Sequence, residues 1–168
     1  MPSNLRDPYR LTAATLDDAP QMALHRAKMF HDMGLLSEEE IPLLHTAAEP
    51  WFASVIADGT YVAWLLHHNN DIIGGGGMHL RPHGPMPGSF AAGLAGHIAN
   101  VYIEPTHRRK GLAEALMQDM IDWARQHDIK ELTLTASEHG QSLYQRLGFL
   151  PSPAFHTMKL GQPQPSHR

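Results

Sequence analysis

The run Arg108-Arg109-Lys110-Gly111-Leu112-Ala113 combines residue types that can hold a diphosphate. It lies where an apolar run gives way to a helical period, so the first-turn amides of that helix lack internal partners and the helix dipole adds partial positive charge. Gly111 and Ala113 keep side chains small there, which lets a phosphate reach the backbone, while Arg109 and Lys110 supply mobile cations. Six such residues also suit an ordinary solvated turn, so the surrounding elements must decide.

Upstream, Ile98 to Ile103 is apolar or β-favouring apart from Asn100, and Pro105 pushes Glu104 into an extended conformation and ends the strand. Downstream, Leu112, Leu116, Met120 and Trp123 form one apolar row and Ala113, Met117, Ile121 and Ala124 the next. Glu114, Gln118, Asp122 and Arg125 fall opposite, which predicts a half-buried helix.

The rest of the chain supplies further strands and helices. Tyr9 to Ala14 reads as a short strand, and Thr15 to Asp18 as caps for a helix from Ala19 to Met33 with an apolar side of Leu24, Ala27, Met29 and Phe30. Ser37-Glu38-Glu39-Glu40 starts a second helix, with Pro42 in its first turn, and Trp51, Phe52, Val55 and Ile56 mark a third helical piece. Tyr61 to Leu66 and Ile72 to Leu80 make a hairpin about Asn69-Asn70-Asp71, its second strand interrupted by Gly74 to Gly77. Those glycines mark a bulge or a close approach, by packing rather than by a ligand.

Arg81 to Gly96 is rich in proline and glycine and predicts a long loop, a candidate wall of a substrate site. Glu131 to Ala136 alternates as a strand, Ser137 can cap the next turn, and Gln141 to Leu147 is a short helix ended by Gly148. Phe155 to Leu160 reads as a last strand before a polar tail, Gly161 to Arg168. The expected organisation is one domain over residues 1–160 with helices on both faces of a mixed sheet.

With 168 residues the chain can bury a sizeable core, and a net charge of −4 offers no global field for nucleic acid or an anionic membrane. The absence of cysteine excludes disulfides, thiol nucleophiles and thiolate metal sites. The thirteen histidines are scattered without the spacings of a metal site, so none is expected. With no secretion signal or spanning apolar run, the expected location is cytoplasmic.

The pattern R-x-x-G-x-A after a strand ending in proline resembles the Q/R-x-x-G-x-G/A acetyl-coenzyme A loop of the GNAT N-acetyltransferases. Leu143-Tyr144-Gln145-Arg146-Leu147-Gly148-Phe149 resembles the L-Y-x-x-x-G-F ending of that family's last conserved helix, and one helix and one strand separate the two marks, as the family requires. Together they span about residues 97 to 150.

The resemblance implies a central mixed, mostly antiparallel sheet in which the strand before the loop and the strand after the long helix run parallel and splay apart, making a slot for the pantetheine arm. It implies acetyl-coenzyme A as cosubstrate, with the backbone of Val101, Tyr102 and Ile103 holding the acetyl and pantetheine portions. Residues Arg108, Arg109, Lys110, Gly111, Leu112, Ala113 and Glu114 would hold the pyrophosphate.

Acetyl transfer to an amine by direct attack needs a neutral nucleophile, donors for the oxyanion and an acid for the thiolate. Tyr144 matches the family's general acid. Ser137 stands where an asparagine often contacts the cofactor, which weakens that contact, and Leu132 fills the place of a frequent glutamate base.

His97 falls where some relatives place a base that works through water, and its near-neutral pKa suits the task. Glu104, seven residues along, is expected to project from the opposite face, so at most one of the two faces the amine. The expected acceptor is a small-molecule or peptide amine, and a homodimer is compatible with the sequence. The rival reading is a coenzyme A-binding sensor or structural module without efficient chemistry.

Overall fold

The computed structural model describes residues 5–152. The expected strand Phe155 to Leu160 and the tail Gly161 to Arg168 lie outside them. A five-stranded sheet runs in chain order, from β1 (Tyr9–Ala13) through β2 (Tyr61–His68), β3 (Asp71–His83) and β4 (Gly93–Ile103) to β5 (Ile129–Leu134). The first three pairings are antiparallel and β4–β5 is parallel, as a crossover through a helix requires.

Helices α1 (Ala19–Asp32) and α2 (Ile41–Ala57) cover one face, where Ala19, Met22, Ala23, Ala48 and Phe52 bury against Tyr61, Ala63 and Leu65. On the other face α3 (Leu112–Gln126) packs Leu116, Met117, Met120 and Ala124 against Met78 and Ile98. The short α4 (Gln141–Arg146) adds Tyr144 to the same cluster. Among the described residues no helix is long and apolar enough to cross a membrane.

Several expectations change. The second and third helical pieces are one helix, because Ala48 and Phe52 on either side of Pro50 are both held in the core. That packing offsets the ~3 kcal/mol that an interior proline costs. On α1 the buried side consists of Ala19, Met22, Ala23, His25 and Ala27, while Leu24, Met29 and Phe30 are half-buried, since small residues let the helix lie close to the sheet.

The loop expected over Arg81 to Gly96 shrinks to residues 84–92, because the hairpin pairing continues from Leu80↔Gly96 to His83↔Gly93. Gly96 is there for packing: a Cβ would meet Met78 Sδ at 2.3 Å. The strand after α3 is likewise shifted, from Glu131–Ala136 to Ile129–Leu134.

The four-glycine run does not interrupt β3. A Cβ on Gly74 would stand 2.4 Å from the Tyr102 carbonyl oxygen, one on Gly75 2.5 Å from that of Trp64, and one on Gly77 2.3 Å from the end of the Tyr61 ring. Tyr61 is 2% exposed and wedged beside Phe52, so it cannot retreat. Gly77→Ala is expected to cost ~1–3 kcal/mol by overpacking, measured by urea denaturation. Gly76→Ala, whose Cβ would meet flexible side chains at 3.1 Å or more, should cost less. Equal midpoints for Gly77→Ala and the parent would show that Tyr61 has room to move.

Candidate active site

The site begins at a fault in β4. Gly77 pairs with Ala99 and Gly75 with Tyr102, so Asn100 and Val101 together stand opposite Gly76. Asn100 takes the extra residue's left-handed conformation, φ 60°, which asparagine tolerates better than most side chains.

This bulge corrects the expectation for Glu104. One extra residue reverses the alternation, so Glu104 and Tyr102 join His97 on the face covered by α1 and α2, where Lys28 and His25 of α1 meet them. Lys28 Nζ lies 2.5 Å from Glu104 Oε1, and the Tyr102 hydroxyl donates to the same carboxylate at 3.2 Å. Burial and this carboxylate raise the Tyr102 phenol above its ordinary value.

Asn100 itself is 7% exposed, with both ends of its side-chain amide bonded. Arg26 of α1 donates to its Oδ1 at 2.6 Å, and its Nδ2 donates to the Tyr61 hydroxyl at 3.0 Å. The Arg26 guanidinium also rests against the rings of Phe30 and Trp51, 4.8 and 5.4 Å from their centroids. His25, buried beside Tyr102, has its pKa lowered to about 4 by desolvation, so it stays neutral.

His97 lies inside β4, which begins at Gly93 rather than near the expected Ile98. Its Nδ1 is paired with the Thr133 hydroxyl of β5 at 2.8 Å, leaving Nε2 without a protein partner among the described residues. Directly across the hairpin stands His79, its ring tilted against those of Tyr61 and Trp51. Desolvation, followed by Arg81, lowers the His97 pKa below 6.5, so the ring is neutral and basic at pH 7.

The pairing of β4 with β5 stops at Ile98↔Leu134, while β4 continues to Ile103. β5 itself ends at Leu134, so from Ala99 to Ile103 β4 has a gap in its pairing on that side, and the loop and α3 follow it in the chain. Arg109 (φ 61°) and Gly111 (φ 75°) both have left-handed backbone, a turn that gathers amides toward one point. Gly111 is the N-cap and offers no side chain to the first-turn amides, and a Cβ there would point into open space. By contrast the turns that open the two earlier helices are closed by Asp18 and Glu40, whose carboxylates accept from the amides of Thr15 and Ser37 at 2.7 and 2.8 Å.

Within the loop the cations have different surroundings. Arg108 donates to the Ile103 carbonyl at 2.7 Å and pairs with Asp32 of α1, so its side chain ties the loop to the fold. Lys110 lies 3.3 Å from the Tyr9 hydroxyl, and Arg109 is exposed. Glu114 accepts from Arg146, linking α3 to α4.

On the α3 face, Tyr144 is half-buried with its phenol pKa raised by desolvation. Its ring lies over Gly140, where a Cβ would sit 2.6–2.8 Å from the ring edge and hydroxyl. Leu132 packs into the same apolar cluster, and Ser137 is exposed at the N-cap of a short turn without a side-chain capping bond. Among the described residues no three His, Asp or Glu side chains converge as a metal site requires.

Val101 to Ile103 lie on the stretch of β4 without a β5 partner and the loop follows them, while His97 lies on the same strand in the stretch paired with β5. Arg26, Lys28, Tyr61 and His79 are functional candidates that sequence periodicity does not expose, because their roles depend on which residues α1 and β3 meet. Asn100 did carry a signal, as the single polar residue in an apolar strand.

The acetyltransferase (GNAT) family pattern matches residues 23–149. A glucosamine 6-phosphate N-acetyltransferase from Trypanosoma brucei brucei is 30% identical over 78 residues, covering 46% of this chain and 50% of that protein. The chain therefore spans about half the length of this curated relative.

Among solved structures, a GCN5-related N-acetyltransferase from Ralstonia eutropha JMP134 is similar with a TM-score of 0.80 and 26% identity, over 91% of this chain and 99% of that one. A predicted acetyltransferase from Clostridium acetobutylicum, solved with acetyl-CoA, has a TM-score of 0.78 at 24% identity, over 90% of this chain and 96% of that one. With the family pattern spanning most of its length and the same fold in these structures, the chain belongs to the acetyltransferase (GNAT) family.

Proposed function

We propose that the protein transfers an acetyl group from acetyl-CoA to a primary amine by direct attack, with both substrates bound together. The observation that carries this reading is a parallel β4–β5 pair that ends at Ile98↔Leu134 while β4 runs on unpaired on that side to Ile103, followed by a helix start with no side-chain cap. Acetyl-CoA supplies the acetyl thioester. The amides of Arg109 to Glu114 suit its diphosphate, with Arg109 and Lys110 as accessory cations, and the backbone of Val101 to Ile103 lines the gap. Arg108 contributes through its backbone, since its guanidinium is engaged elsewhere.

His97 takes the amine proton at Nε2, directly or through water, while Thr133 fixes the ring through Nδ1. Tyr144, from the opposite face of the sheet, donates its proton to the leaving sulfur. Glu104 holds Lys28 and Tyr102 in place rather than serving as the first base.

Calorimetric titration with coenzyme A tests the binding half. Gly111→Glu should weaken binding by more than tenfold, since it adds charge where the anion lies and strains a left-handed position. Arg109→Ala should lose less, on the order of the few-fold to tenfold of one exposed charge. Unchanged affinity in Gly111→Glu would sink this assignment. Release of thiol from acetyl-CoA in the presence of amines separates the enzyme from a binding module, which would take up coenzyme A without turnover.

A further inference from the structure

The face of the sheet that His97 occupies carries two guanidinium groups, Arg26 and Arg81, that no carboxylate meets among the described residues, with the imidazoles of His79 and His97 between them. Arg26, His79, Arg81 and His97 lie along it, His79 and His97 directly opposite in register, with Arg26 against Trp51 beside His79. The carboxylates facing the same side are occupied. Glu104 is paired with Lys28 and Asp32 with Arg108, while Glu131 lies 3.9 Å from His83.

Arg26 is the most telling member. Its guanidinium is desolvated, which lowers its pKa, yet its polar partner is the neutral Asn100 and no carboxylate reaches it among the described residues. A half-buried cation held by aromatic rings without a counter-ion is costly unless a ligand supplies the negative charge. Four of its five donors remain after the bond to Asn100. Arg81, exposed at the other end of the row, also lacks a carboxylate among the described residues.

We propose that the acceptor amine carries an acid group, phosphate or carboxylate, seated over the His79–His97 pair between Arg26 and Arg81. This rests on the acetyl-transfer reading and names its substrate class. The acid group both anchors the acceptor and orients its amine toward the gap, so its recognition belongs to the α1 and β3 side chains rather than to the cofactor loop.

The test uses matched acceptors at saturating acetyl-CoA: an amino sugar phosphate against the unphosphorylated sugar, and an α-amino acid against its amide. The acidic member of one pair should be preferred at least tenfold in kcat/KM, and which pair responds distinguishes phosphate from carboxylate. Arg81→Gln, a surface change, should reduce that preference by about tenfold, the worth of one charge-assisted contact. Equal or better use of the neutral members overturns the acidic acceptor, and a preference that survives Arg81→Gln unchanged overturns its seat between Arg26 and Arg81, each while leaving acetyl transfer standing. Absence of thiol release with every amine overturns both.

Discussion

Tyr144→Phe should lower turnover ~10²–10⁴-fold, the range of general acid catalysis, while coenzyme A affinity and melting temperature stay near the parent's. The substitution deletes only the hydroxyl and keeps the ring packed with Phe149 and over Gly140. Burial raises the phenol pKa, so the proton is present throughout the neutral range and available to a departing thiolate. Stopped assays of thiol release with the best amine, beside calorimetry on the same preparations, give the answer. A Phe variant that turns over at the parent rate would make Tyr144 a packing residue and solvent the proton source.

The second large effect falls on His97→Ala, which should cost ~10²–10⁴-fold in turnover at pH 7. The sign of its pH dependence comes from the lowered pKa. The neutral, base-competent ring predominates above a value that lies under 6.5, so parent activity should rise with pH through that region and level off near neutrality. His97→Ala should lose this acid limb and keep any rise set by the amine's own ionisation. The same acid limb in the variant would transfer the role to another group on this face, His79 or Glu104.

Much of this arrangement is legible in the sequence because it is local. The period change at Gly111 marks the start of α3, the basic turn marks the loop, and the apolar run of residues 61–66 before Asn69-Asn70-Asp71 marks β2. The rest is set by contacts between distant residues and is not legible. Glycine reads as a turn signal, yet Gly74, Gly75, Gly77 and Gly96 are needed because a neighbouring carbonyl, tyrosine or methionine fills the Cβ space. Alternation places Glu104 away from His97 unless the bulge at Asn100 is known, and that bulge is a property of the pairing with β3. Arg26 and Lys28 read as ordinary helix polar residues, since nothing local says that α1 lies across the bulge.

The uncapped start of α3 has a consequence for the lifetime of the protein. The two earlier turns bring their own carboxylates, whereas on the reading proposed above the start of α3 would take its negative group from the bound diphosphate, which would complete the helix. Occupancy and folding are then thermodynamically linked, and a hundredfold excess of ligand over its Kd adds about 2.7 kcal/mol to the free energy of unfolding. On that reading the protein persists longest when coenzyme A is plentiful, because the ligand binds only the folded chain.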